Sequence, residues 1–340
     1  MRALVTGGTG LIGSQLVLAL LRRGDAVRVL ARCAERSAPL ASAGAEVVIG
    51  DLAAPMSLAA LTEGVEVVFH LASAMRAPDA IFRQVDGAGT DWLIARAEAS
   101  GVRRLVYAGT LSGFDLVHVP HGAELDEDSP LDPRSRMGAY ARAKSSAEQA
   151  VLAAHRRGRI QGVIVRLGLV CGATASSFPA HVGRFVKPHT VVVFGDGGVP
   201  LPLLYIDNAV EALLLAGSVP EAAGETFNVV DEPMLTQREY LTLYQQAGGT
   251  RLRVLKLPRL AYYALGAAVQ LAARARGKEP ETTVYRVRAR LRHVRWNCAK
   301  AQRILNWRTR VPLAEGLGES FRGNRDHRSA ALDTAAPRTV

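Results

Sequence analysis

Cysteine is scarce in this chain. Cys33, Cys171 and Cys298 are the only three among 340 residues, far apart and in no Cys-x-x-Cys pair. That excludes a disulfide framework, gives no metal-ligand spacing, and fits a reducing compartment. Long hydrophobic runs are missing too, since a membrane-spanning helix needs roughly 18 consecutive apolar residues. The nearest approach, LAYYALGAAVQLAA (260–273), is shorter than that and is bounded by Arg259 and Arg274. With the first strand starting at Arg2, no room for a signal peptide is expected, and the chain is read as cytoplasmic.

Acids are depleted in one region. Between Arg251 and Arg310 there are sixteen Lys and Arg against two acids, Glu279 and Glu281, a local surplus of +14. The whole chain carries +11, so the remainder is slightly acidic. Such a block suits a solvated basic face, an anionic membrane surface met peripherally, or a phosphate-bearing substrate. No aromatic side chains interleave with it as a base-stacking platform, which argues against nucleic acid as a partner.

What is present reads as an ordinary folded chain, with 49% apolar and 21% charged residues and length enough for two lobes. RALVT, AVRVLA, AEVVIG, EVVFHL, RRLVYAG and IQGVIVRL are short, β-branched and nearly continuous in apolar character, as buried parallel strands are. Longer amphipathic segments separate them, among them MSLAALTEG, and two end at a glycine after basic residues. The alternation predicts an α/β fold with a doubly wound parallel sheet of the Rossmann type. It spans 1–170, with core segments returning at about 203–230. A smaller, mostly helical substrate lobe is expected over 171–202 and 231–322, and a disordered tail over 323–340.

Two motifs carry chemistry. VTGGTGLIGSQL follows the first strand and opens the first helix, with Gly7, Gly10 and Gly13 in a GxxGxxG series and Leu11 and Ile12 at the helix start. Glycine permits the tight turn, close approach to a pyrophosphate, and close packing of helix on sheet, while the helix N-terminus offers N–H donors. At the end of the second strand, where an NAD-selecting acid is usual, stand Ala31 and Arg32, with Arg36 nearby. Arg32 suits the 2′-phosphate of NADP, or stacks on adenine with NAD as the alternative cofactor. Asp51 and Leu52 end the next strand, where an adenine edge is read, and Leu71 and Ala72 lie in FHLAS, where the dinucleotide must run; His70 alone reads equally as a buried strand histidine. The second motif is MGAYARAKSSAEQA, which puts Tyr140 and Lys144 one helical turn apart on one face. An ammonium there is expected to lower the pKa of the phenol.

With the glycine loop, GDL, FHLAS and Tyr-x-x-x-Lys in this order, the chain resembles the extended short-chain dehydrogenase/reductase family, also called the NAD-dependent epimerase/dehydratase family. VRLGLVCG, LLYIDNAVEA and NCAKAQRILNWRTRVPLAEGL resemble its later segments, so the likeness covers about 1–322. It implies that Tyr140 is the acid/base during hydride exchange with nicotinamide, that Lys144 holds the nicotinamide ribose, and that Thr110, with Ser112 as the fallback, polarises the substrate carbonyl. It also implies a homodimer through the helix bearing Tyr140. Departures narrow the chemistry. Leu111 and Ser112 stand where sugar-nucleotide dehydratases have an Asp-Glu pair, and Leu201 stands near the diphosphate-gripping arginine of many epimerases, leaving Arg184 or Lys187 as substitutes. Asp86 replaces the family's asparagine, and Leu167 and Cys171 replace its proline and tyrosine. YIDNAVEA and the apolar helix near 260 resemble the 3β-hydroxysteroid dehydrogenase-like and reductase branch. The expectation is an NAD(P)-dependent oxidoreductase acting at a hydroxyl or ketone of a small apolar molecule. The alternatives are a nucleoside-diphosphate-sugar epimerase with tightly held NAD, and a non-catalytic nucleotide sensor.

Overall fold

Strands covered on both faces accept apolar side chains at every position, and the Val/Leu/Ile runs of the first half form such strands. A computed structural model of the chain describes residues 1–321 except 59, 75–76, 133, 135, 173–177, 249–250, 278–279 and 281. The expected tail, 323–340, and the two acids of the basic block lie outside the described residues.

In chain order the first half runs β1 (Arg2–Thr6), α1 (Leu11–Arg22), β2 (Ala26–Ala31), α2 (Ala34–Ser42), β3 (Glu46–Ile49), β4 (Val67–His70), α3 (Asp79–Phe82), α4 (Gly89–Ala99) and β5 (Arg104–Thr110). There follow β6 (Glu124–Leu125), α5 (Ala139–Arg156), β7 (Gln161–Leu167), β8 (Leu169–Cys171), β9 (Arg184–Lys187), β10 (Thr190–Phe194), β11 (Pro200–Leu201), β12 (Leu203–Tyr205) and α6 (Ile206–Ser218). The chain continues through β13 (Thr226–Val229), β14 (Leu235–Thr236), α7 (Gln237–Gly248), β15 (Arg253–Leu257), α8 (Arg259–Ala275), α9 (Val284–Arg290), β16 (Arg295–Trp296) and α10 (Ala299–Ile304).

The central sheet has seven strands in the order β13-β7-β5-β4-β1-β2-β3, all parallel. Strand pleating sends neighbours to opposite faces. Val5 and Phe69 meet Leu16 and Leu20 of α1 and Leu213 of α6 on one side. Leu4 and Val68 meet Leu93 of α4 and Val151 of α5 on the other. Helices α1 and α5 stop at Gly24 and Gly158, both left-handed, as the glycine-after-basic signal predicts. MSLAALTEG does not make the helix its pattern suggests: among its described residues a 3-10 turn, Pro55–Leu58, forms instead. Between α3 and α4 the helix widens into a π turn, Arg83–Ala88, which holds Asp86.

The second lobe carries the helices α7, α8, α9 and α10, as expected, and holds a small sheet besides. It contains the sheet β15-β10-β9, built from TVVVF and RVLKL. Their β-branched and alternating residues favour strand over helix. The lobe is tied to the core through Asn208, whose amide donates to Asp231 and to the Val311 carbonyl and accepts from the Arg310 and Val311 N–H groups.

Candidate active site

The glycine loop sits at the carboxyl ends of β1 and β4, on opposite sides of which the strand order runs outward; in open α/β sheets this is where ligands bind. Gly7 has φ of +72°, and a Cβ there would lie 2.7 Å from the Ala72 nitrogen. A Cβ on Gly13 would lie 2.2 Å from the Gly7 oxygen. Two of the three glycines are therefore required by packing alone, since helix α1 presses onto the loop and the loop onto Leu71 and Ala72. Gly10 is the N-cap of α1 and no side chain caps the helix. First-turn N–H groups, those of Leu11 and Ile12 among them, have no acceptor within their own helix. The result is a shallow cradle with outward donors and positive helix-end charge, which fits a pyrophosphate.

The surroundings fit the rest of a dinucleotide. Arg32 and Arg36 are exposed at and after the end of β2, and no ion pair among the described residues holds either. The Asp51 carboxylate accepts the Ala53 N–H at 2.9 Å, and Leu52 is buried beneath it. The Ser73 hydroxyl is buried without a partner among the described residues, an orphan donor on the path from the loop to Tyr140. His70 is the buried strand histidine. It bridges the hydroxyls of Thr6 and Thr90 at 2.7 and 2.9 Å, and burial pushes its pKa down to about 3, so it stays neutral and structural.

Helix α5 positions the expected acid/base pair. Gly138, at φ +109°, turns the chain into α5 against the Arg286 side chain of α9. Lys144 is 4% exposed and donates to the Ala108 carbonyl at 3.0 Å, with its ammonium 4.6 Å above the Tyr107 ring. Burial lowers its pKa to about 8, and the Asp86 charge opposes that. The Tyr140 phenol is shifted upward, by burial first and by Asp86 as well, against a hydrogen bond with Thr110 that lowers it. This reverses the expected direction. The ammonium donates to Ala108 and lies over the Tyr107 ring, and burial sets the direction of the phenol's shift. Without cofactor Tyr140 is thus a neutral proton donor. Thr110 also accepts the Ser112 N–H at 3.2 Å and donates to the Ser112 hydroxyl at 3.2 Å. Hence both hydroxyl candidates lie together, and Thr110 is the one that acts on the phenol's pKa.

Asp86 completes the cluster. One carboxylate oxygen accepts the Ala74 N–H at 2.9 Å; the other is buried with no partner among the described residues. The π turn displaces this residue inward from the helical path, a feature that often marks functional positions.

Beside Thr110 opens a cleft of about 790 Å³, counting space open to solvent. Its walls are largely apolar, with Leu116, Leu201 and Trp296 among them. His181 and Arg290 supply polar groups well away from Thr110 in sequence. Arg290 donates to the Tyr262 hydroxyl at 2.7 Å and has no ion pair among the described residues. His181 is pushed down to about 4, by burial and then by Arg290, so it is a neutral donor or acceptor. Sequence spacing offered no signal for either, because the lobe brings them to Thr110 only after folding. Arg292 also lines the cleft, but its guanidinium is spent on the carbonyls of Leu116, Val117 and Val119. Arg184 and Lys187 are exposed on β9 and do not line the cleft.

Comparison with known proteins agrees with this architecture. Residues 3–229 match the NAD dependent epimerase/dehydratase family. The chain is 30% identical to a 4-hydroxy-2-methyl-3-oxo-4-farnesyl-3,4-dihydroquinoline-1-oxide ketoreductase of Stigmatella aurantiaca, over 97% of this chain and 100% of the relative. It is 29% identical to a UDP-glucose 4-epimerase of Mycolicibacterium smegmatis, over 94% and 97% of the two chains. A short-chain dehydrogenase/reductase superfamily protein from Agrobacterium tumefaciens, solved with bound NAD, superposes with a TM-score of 0.76 at 21% identity, over 98% of this chain and 100% of that one. The chain belongs to the NAD-dependent epimerase/dehydratase family, the extended short-chain dehydrogenases/reductases.

Proposed function

We propose that the protein is an NADP(H)-dependent oxidoreductase that interconverts a ketone and an alcohol on a small, largely apolar molecule. The observation that carries this reading is the placement of Thr110: it lowers the pKa of the nearby Tyr140 phenol on one side and lines an apolar cleft on the other. Gly7, Gly10, Leu11, Ile12 and Gly13 would hold the pyrophosphate, and Arg32 with Arg36 the 2′-phosphate that distinguishes NADP from NAD. The cofactor, when bound, supplies the hydride.

The chain's own residues do the rest. The Thr110 hydroxyl donates to the substrate carbonyl oxygen and increases its polarity. The Tyr140 phenol, neutral because it is buried, delivers its proton to that oxygen as negative charge develops there. Lys144 carries its positive charge beneath the reacting region, held by Ala108 and the Tyr107 ring. Apolar walls exclude water and favour a largely apolar substrate, and Arg290 stands in the cleft to meet one carboxylate on it.

A relative acting on a farnesylated oxo-quinoline supports the reductase reading. The test is NADPH oxidation with aryl and long-chain ketones. Tyr140→Phe should lower turnover by about 10²–10⁴-fold, and Arg32→Ala should weaken NADPH while leaving NADH unchanged. A purified protein that carries tightly bound NAD and interconverts UDP-hexoses with no added cofactor overturns the proposal.

A further inference from the structure

Helix α8 presents the wrong side to solvent. At about 100° per residue, its buried and half-buried positions, Tyr262, Tyr263, Gly266, Gln270 and Ala273, fall on one arc. That arc packs on the lobe: Tyr262 stacks on Phe194 with centroids 4.0 Å apart, and a Cβ on Gly266 would lie 2.8 Å from Val287. The one amide of the segment, Gln270, faces inward and accepts the Val284 N–H at 3.1 Å.

The opposite arc, roughly 200° of the circumference, faces outward, where a surface helix ordinarily carries charge. Here it holds alanines with Leu260 at 81% exposure, Leu271 at 71% and Leu265 at 50%. No charged residue occurs from 260 to 273. Charge appears only at the ends, as exposed Arg259, Arg274 and Arg276. Strand β15, one residue before the helix, adds exposed Arg253 and Lys256 beside half-exposed Val254 and Leu255. None of α8, β15 or β9 contains an acid; the nearest paired one is Asp196, 3.9 Å from the Arg259 guanidinium.

From this pattern we propose that α8 is a membrane-surface element, lying flat with its apolar arc in the interfacial zone of an anionic bilayer and its terminal arginines among the headgroups. Charge decides the occupant. A second copy docked by two-fold symmetry through the same face would bring arginines against arginines in either helix orientation, whereas anionic lipid complements the exposed arginines and the lysine of the rim, which outnumber its one acid among the described residues, Asp196. No helix among the described residues is long and apolar enough to cross a membrane, so the helix rests on the surface. The inference does not depend on the proposed reaction.

The experiment is flotation of the full chain with phosphatidylcholine vesicles, with and without phosphatidylglycerol, at low and high salt. The wild type should float with the anionic vesicles, and salt should release it. Arg274→Ser should weaken binding about fivefold. L260E combined with L271E should reduce it at least about tenfold, leaving the thermal midpoint and any activity toward a water-soluble ketone unchanged, since both leucines are exposed. Failure of the wild type to float, or flotation that survives the double substitution, overturns the proposal. So does a wild-type dimer that the double substitution dissociates while vesicle binding is nil.

Discussion

Replacing Lys144 with methionine should make the protein more stable while disabling it. The ammonium is 4% exposed, and its pKa falls from 10.5 to about 8. At about 1.4 kcal/mol per pH unit, that is ~3 kcal/mol held against the folded state at pH 7. Met fills nearly the same volume without charge. It forfeits the bond to Ala108 and the contact with the Tyr107 ring, together about 1–2 kcal/mol. The net gain should be about 1–2 kcal/mol, or roughly 2 °C in thermal midpoint for a chain of this length. The pH dependence is the sharper signature. The folded pKa lies below the unfolded one, so between about 8 and 10.5 the unfolded chain binds more protons and wild-type stability rises with pH. The advantage of Met should therefore shrink across that window, disappear within it and give way above it to a small advantage for Lys. Calorimetry on cofactor-free protein at pH 7, 9 and 10.5 tests this. A variant that is less stable than wild type at pH 7, or a difference that does not change with pH, refutes the claim that Lys144 is a desolvated cation kept at a stability cost.

Three other expectations are quicker to check. Asp86→Asn removes a charge that raises both Tyr140 and Lys144, so the pH–rate profile of the reductive reaction should move to lower pH; an unmoved profile removes Asp86 from the electrostatics of the site. Gly13→Ala places a methyl 2.2 Å from the Gly7 oxygen, and should abolish dinucleotide binding by titration and cost more than ~1 kcal/mol of stability. Arg290→Met should lower kcat/KM for ketones that carry a carboxylate about tenfold or more and leave their methyl esters little changed, since the guanidinium has no ion pair among the described residues. Equal losses for acid and ester would assign Arg290 to packing.

Much of the fold is legible along the chain because its signals are local. Doubly covered strands read as continuous apolar runs, glycines after basic residues mark helix ends, and a glycine triplet between strand and helix marks a phosphate cradle. Tyr140 and Lys144 are legible for the same reason: one helix and one turn fix their spacing. What escaped was whatever depends on distant segments meeting. The β15-β10-β9 sheet joins strands separated by a long stretch of chain, so no local pattern announces it. Nothing near His181 or Arg290 announces that they line the cleft beside Thr110.

The sequence by itself determined the order of the sheet's strands and helices, the glycine turn between β1 and α1 and the pair on α5, since each follows from nearest-neighbour chemistry. Only the tertiary structure decided the electrostatics. Burial raised the phenol, lowered the ammonium and turned that ammonium toward Ala108, because desolvation depends on everything packed around a group and not on its neighbours in the chain. It also decided which arc of α8 faces outward, and so turned an unremarkable apolar helix into an exposed one.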